Sequence, residues 1–84
     1  MARVEVYTTP SCPYCVQAKR LLQARHIPFT EIDLAADAAL RADIMTRTGR
    51  RTVPQIFIDG RSIGGYDELS TMDAAGELKD LRTV

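Results

Sequence analysis

Eighty-four residues make one small domain, near the lower limit of what folds without cross-links or metal. The composition is 45% hydrophobic and 26% charged, and eleven basic side chains cancel eleven acidic ones. That balance leaves no strong field to steer the chain to nucleic acid or to a membrane, and no apolar run approaches the roughly 20 residues that span a bilayer.

The opening residues Met-Ala-Arg-Val-Glu lack the charged-then-apolar layout of a secretion signal, which points to the cytoplasm. Val4 to Thr8 alternates and is rich in Val, Tyr and Thr, the pattern of a first strand. Pro13 suits a first helical position, where its missing N–H costs nothing and its fixed φ helps. The helix runs on through Ala18, Leu21, Leu22 and Arg25, with apolar residues three and four apart. His26-Ile27-Pro28 ends it, since the residue before a proline avoids the α region. Phe29 to Leu34 reads as a second strand, and Asp37 as the cap of a helix from Ala38 to Thr48 that stops at Gly49. Gln55 to Ile58 is a third strand, buried on both faces because Ile56 and Ile58 point one way and Phe57 the other. Asp59-Gly60 is a two-residue hairpin turn, and Arg61 to Gly64 returns as a fourth strand. A third helix over Glu68 to Ala75 and a short turn holding Leu78 and Leu81 complete the chain. The order β-α-β-α-β-β-α predicts a right-handed parallel crossover followed by a hairpin, hence a four-stranded mixed sheet with helices on both faces.

Three constellations stand out on this framework. Cys12-Pro13-Tyr14-Cys15 falls between the first strand and the first helix, and the chain has no other cysteine. The thiolate is the nucleophilic form of cysteine, and a helix start, with its unpaired N–H groups and positive dipole end, favours a negative sulfur. Cys12 stands at the exposed cap position and Cys15 one turn in, so Cys12 is the attacking thiol and Cys15 the resolving one. A disulfide closing so short a loop adds little entropy, which argues against a structural staple. Zinc sites usually need four ligands, and one histidine beside two cysteines does not supply them, so no metal site is expected.

Thr52-Val53-Pro54 is the second. Proline is allowed at a strand start. A cis Val53–Pro54 bond would leave the Val53 backbone unpaired and able to bind an extended peptide, but only ~5–6% of such bonds are cis, so sequence alone makes trans the default. The third is Gly64-Gly65-Tyr66-Asp67, where glycines before a helix start allow close backbone approach and free N–H groups suit a carboxylate. Asp67 reads either as a ligand-binding group or, more simply, as the cap of the third helix.

Taken in this order along this string of elements, the three motifs resemble those of a dithiol glutaredoxin, over essentially residues 1–84 as a single glutaredoxin domain. The resemblance implies a thioredoxin-like fold, a cis bond before Pro54, and glutathione as co-substrate with no tightly bound cofactor. By that resemblance Cys12 and Cys15 are catalytic and Tyr14 flanks the glutathione. Thr52, Val53 and Pro54 meet its cysteine moiety, and Gly65, Tyr66 and Asp67 hold its γ-glutamyl end. Arg41 matches the position that meets the glycyl carboxylate. The family often carries a lysine three residues before the nucleophile; here Thr9 stands in its place, which implies weaker glutathione binding or a less stabilised thiolate unless Arg41, Arg50 or Arg51 compensates. His26 is expected to be solvated.

The function that follows is a cytoplasmic, monomeric, glutathione-dependent thiol–disulfide oxidoreductase. Its clients would be glutathionylated or disulfide-containing proteins, with neither nucleic acid nor membrane as partner. Two rivals stand beside it: a glutaredoxin-like electron donor served by thioredoxin reductase, and a dimer sharing an iron–sulfur cluster through Cys12 and glutathione. The Gly64-to-Asp67 stretch and Arg41 weigh against the first. Pro13 weighs against the second, since in the family a proline there goes with absence of a cluster.

Overall fold

In a computed structural model, which describes residues 3–81, the element order is the expected one. Strand β1 spans Val4–Thr8, α1 Pro13–Ala24, β2 Thr30–Asp33, α2 Ala38–Thr48, β3 Gln55–Ile58, β4 Arg61–Gly64 and α3 Tyr66–Ala74, with a 3-10 turn at Lys79–Leu81. The sheet order is β2-β1-β3-β4; β1 and β2 are parallel, and the other pairs are antiparallel. This is the thioredoxin-like fold. The second strand is shorter than the sequence pattern implies, because the regular ladder takes in neither Phe29 nor Leu34.

Period-two alternation in β1 and β3 divides the core into two layers. Val4, Val6 and Ile56 face α1 and α3, where Ala18, Leu22 and Leu69, with Leu78 beyond the end of α3, belong to one buried cluster. Tyr7 and Phe57 face the other way, against Ile44 of α2 and Leu34. Their rings meet edge to face at 5.4 Å, and the Arg47 guanidinium lies 5.4 Å from the Phe57 ring centre. Truncating a fully buried leucine such as Leu22 to alanine would cost about 2–5 kcal/mol.

Local chemistry explains how the elements end. Helix α1 stops in a Schellman arrangement: His26 N–H donates to Gln23 C=O at 3.1 Å and Ile27 N–H to Leu22 C=O at 2.9 Å. His26 takes the left-handed conformation (φ 58°) usually given to glycine, so this motif ends the helix before Pro28 is reached. In the β3–β4 hairpin, Asp59 and Gly60 both have positive φ, as the two-residue turn requires. Asp59 also ties the turn to β1: Arg3 N–H donates to its carboxylate at 2.7 Å, and Asp59 N–H donates to Arg3 C=O at 2.8 Å.

A register shift in the β3–β4 ladder sets up the loop that matters most. Ile56 pairs with Gly64 but Phe57 with Ser62, so Ile63 is the extra residue of a bulge. Gly64 follows with φ 109°, and the chain turns straight into α3.

Candidate active site

Cys12 is the N-cap residue of α1, in extended conformation, and Pro13 is the first helical residue. Its sulfur does what a serine or aspartate side chain does at such a cap: it accepts the Cys15 N–H at 3.1 Å. On its other side the thiol donates to the Val53 carbonyl at 3.4 Å. The sulfur therefore lies between a helix N–H from which it accepts and a carbonyl that orients the thiol.

Cys15 differs in kind. It is 2% exposed, and both cysteines are free thiols. Burial, reinforced by its hydrogen bond with Cys12, pushes the Cys15 thiol up to about 12. The Thr9 backbone and the Lys19 charge oppose this without reversing it. At neutral pH Cys15 is thus a neutral thiol, sheltered behind a partly exposed sulfur.

Next to Val53, the acceptor of the Cys12 thiol, lies a cavity of about 340 Å³ lined by Tyr14, Arg50, Thr52, Val53, Pro54, Gly65, Tyr66, Asp67 and Glu68; neither cysteine is in that lining. That volume is in the usual range for a small-molecule site. The Val53–Pro54 bond is cis, as the resemblance implies and against the general preference for trans. The α3 start closes in on it: a Cβ added to Gly65 would stand 3.1 Å from the Pro54 carbonyl, so the two backbones pass with no side chain between them. Tyr14, 58% exposed, and Tyr66 form a tilted pair at 6.3 Å across the mouth.

Of the residues the sequence singled out, Tyr14, Thr52, Val53, Pro54, Gly65, Tyr66 and Asp67 come together here, although they derive from three separate segments. Arg41 does not. It lies in the first half of α2 and is absent from the cavity lining; the guanidinium at the cavity is that of Arg50. The capping role considered for Asp67 is also corrected. The third helix begins at Tyr66, its cap residue is Gly65, and Asp67 lies within the first turn. Glu68 supplies the cap bond, accepting the Gly65 N–H at 2.9 Å, and it also accepts from the Arg50 guanidinium. The Gly65 amide first, and Arg50 second, hold the Glu68 carboxyl below the usual carboxylate range. Glu68 is the lining residue that sequence reasoning missed, while Arg50 is one of the three arginines named as able to stand in for the missing lysine. A glutamate three places after a cap position was the available signal, but a glycine cap hides it.

The relatives agree with this geometry. The glutaredoxin family profile matches residues 4–63. Glutaredoxin 3 of Escherichia coli K12 is 49% identical over 81 residues, covering 96% of this chain and 98% of its own length. The chain belongs to the glutaredoxin family. Among solved glutaredoxins, the solution structure from Brucella melitensis is 46% identical, with a TM-score of 0.85 over 96% of this chain and 88% of that one. The crystal structure of a buckwheat glutaredoxin–glutathione complex is 30% identical, with a TM-score of 0.88 over 95% of this chain and 76% of that one. Membership, the fold and the Cys12/Cys15 pair make this glutaredoxin a thiol–disulfide oxidoreductase. No helix among the described residues is long and apolar enough to cross a membrane.

Proposed function

We propose that the protein is a glutathione-dependent oxidoreductase acting on protein–glutathione mixed disulfides and on protein disulfides. The observation that carries this reading is the cavity whose lining residue Val53 accepts the Cys12 thiol hydrogen bond through its carbonyl. It offers backbone at Thr52 and Val53, an aromatic wall at Tyr14 and Tyr66, and a helix start with Asp67, a set suited to an extended tripeptide bearing carboxylates and an ammonium group. The likeness to the buckwheat glutaredoxin–glutathione complex supports the same ligand.

In the reaction with a glutathionylated protein, the Cys12 thiolate attacks the glutathione sulfur. The mixed disulfide breaks, the protein thiolate leaves and takes up a proton, and Cys12 holds the glutathione. A second glutathione thiolate then attacks that glutathione sulfur, releasing glutathione disulfide and restoring Cys12. With a protein disulfide, Cys12 attacks first. Cys15 next loses its proton and attacks the Cys12 sulfur, expelling the second client thiolate and closing the Cys12–Cys15 disulfide. Thr52, Val53 and Pro54 bind the cysteine moiety, Tyr14 flanks the ligand, and Gly65, Tyr66 and Asp67 hold the γ-glutamyl end, Asp67 at its ammonium. The protein acts as a cytoplasmic monomer.

Two variants test the reading. Cys15→Ser should keep activity on a glutathionylated peptide, which needs only Cys12 and a second glutathione, while reduction of a protein disulfide falls steeply. Cys12→Ser should lose both activities. The reverse pattern would exchange the two roles, and turnover with thioredoxin reductase in place of glutathione would overturn the glutathione dependence.

A further inference from the structure

Glu68 joins the two sides of the cavity. Its carboxylate accepts the Gly65 N–H on the helix side and the Arg50 guanidinium on the side that leads into Thr52-Val53-Pro54. The same carboxyl occupies the space a side chain at Gly64 would need, since a Cβ there would overlap its oxygen and its carbon atoms. Arg50 is fixed from behind as well. Its N–H donates to Thr48 Oγ1 at 3.1 Å, and its carbonyl accepts from the buried Gln55 Nε2 at 2.9 Å. With the backbone of Arg50 held at both ends, the direction of its side chain is what remains to be set, and Glu68 sets it. A guanidinium has five donors in a rigid fork, and the bond to Glu68 leaves others for a second carboxylate.

We infer that Glu68 is a positioning residue: by tying Arg50 to the start of α3 it presents that guanidinium to a carboxylate of the bound tripeptide. The inference rests on the glutathione reading above. It is distinct from a purely structural cap, which would need only the Gly65 bond, an acceptor that glutamine supplies equally well.

Steady-state kinetics with a glutathionylated peptide test it on wild type, Glu68→Gln, Arg50→Gln and the double variant. Glu68→Gln should raise KM for the peptide roughly three- to tenfold, the scale of one partly exposed charge-assisted contact, with kcat within about twofold. Arg50→Gln should raise KM at least as much. The double variant should be no worse than Arg50→Gln alone, because Glu68 acts through Arg50. Unchanged KM in Glu68→Gln, or effects that multiply in the double variant, overturns the inference. The tether has its own readout: the Gly65 amide resonance should report the Glu68 titration below the usual carboxylate range. That inflection should rise in Arg50→Gln and vanish in Glu68→Gln, and an inflection indifferent to Arg50 refutes the tether. A wild-type protein inert toward the glutathionylated peptide overturns the functional reading itself, and with it the ligand role of Arg50, whatever the resonance shows.

Discussion

Burial of Cys15 should make the reduced protein lose stability in alkali. The folded state pushes this thiol up to about 12, whereas an unfolded chain ionises it near ~8.5. A group whose folded pKa is raised contributes fully below the unfolded pKa. The contribution drains away as pH rises, because the unfolded chain releases its proton first. Each pH unit above ~8.5 removes about 1.36 kcal/mol, so the loss between pH 7 and pH 10 is about 2 kcal/mol. Any folded value above about 11 gives nearly the same loss at pH 10, so the figure does not depend on the last unit of the shift. The assay is urea unfolding of Cys12→Ser and Cys12→Ser/Cys15→Ala between pH 7 and pH 10 under a phosphine reductant. The serine background removes the second thiol, and the difference between the two variants cancels every other titration, Tyr7 included. That difference should shift by about 2 kcal/mol against the thiol-bearing variant. A pH-independent difference, or a folded-state Cys15 carbon-13 shift with its inflection near ~8.5, would refute the reasoning.

Gly64→Ala should destabilise the protein by about 2–4 kcal/mol in urea unfolding, because φ 109° disfavours a side chain and the new Cβ meets the Glu68 carboxyl. His26→Gly should stabilise it by about 0.5–1 kcal/mol, raising Tm by several degrees, since the left-handed position costs glycine least. Asp67→Ala should raise KM for glutathione while changing stability by less than about 1 kcal/mol, because Glu68 and not Asp67 carries the cap bond; a larger loss of stability with unchanged KM would return Asp67 to a structural role.

What the sequence made legible is what depends on near neighbours. Alternation in Val4–Thr8, the three-and-four spacing of Ala18, Leu21 and Leu22, Asp37 three places before Leu40, and the Asp59-Gly60 turn each act within a few residues, and each element forms where its pattern lies. The cysteine pair was legible for the same reason, since cap, proline and helix are contiguous. The Arg50–Glu68 pair was not, because two long charged side chains eighteen residues apart look solvated until the fold crosses them. Helix α3 starts two residues before the sequence pattern indicates, because its cap residue, Gly65, has no side chain to announce it. Arg41 was drawn in by family position alone, and no local pattern in α2 told it from Arg50.

Helices α1 and α3 run side by side in the same sense. Their first turns line the cavity through Tyr14 and through Gly65, Tyr66 and Asp67, and at their far ends Arg25 grips Asp73 with two hydrogen bonds of 2.8 and 3.0 Å. Like poles therefore lie together at both ends. At the far end the Arg25 guanidinium answers the negative poles, and at the near end Asp67 and Glu68 answer that of α3. The first turn of α1 contains no acidic residue. In the reaction proposed above, the Cys12 thiolate is the one anion at this turn, and each round of attack and release would discharge and recharge the pole on which the helix begins.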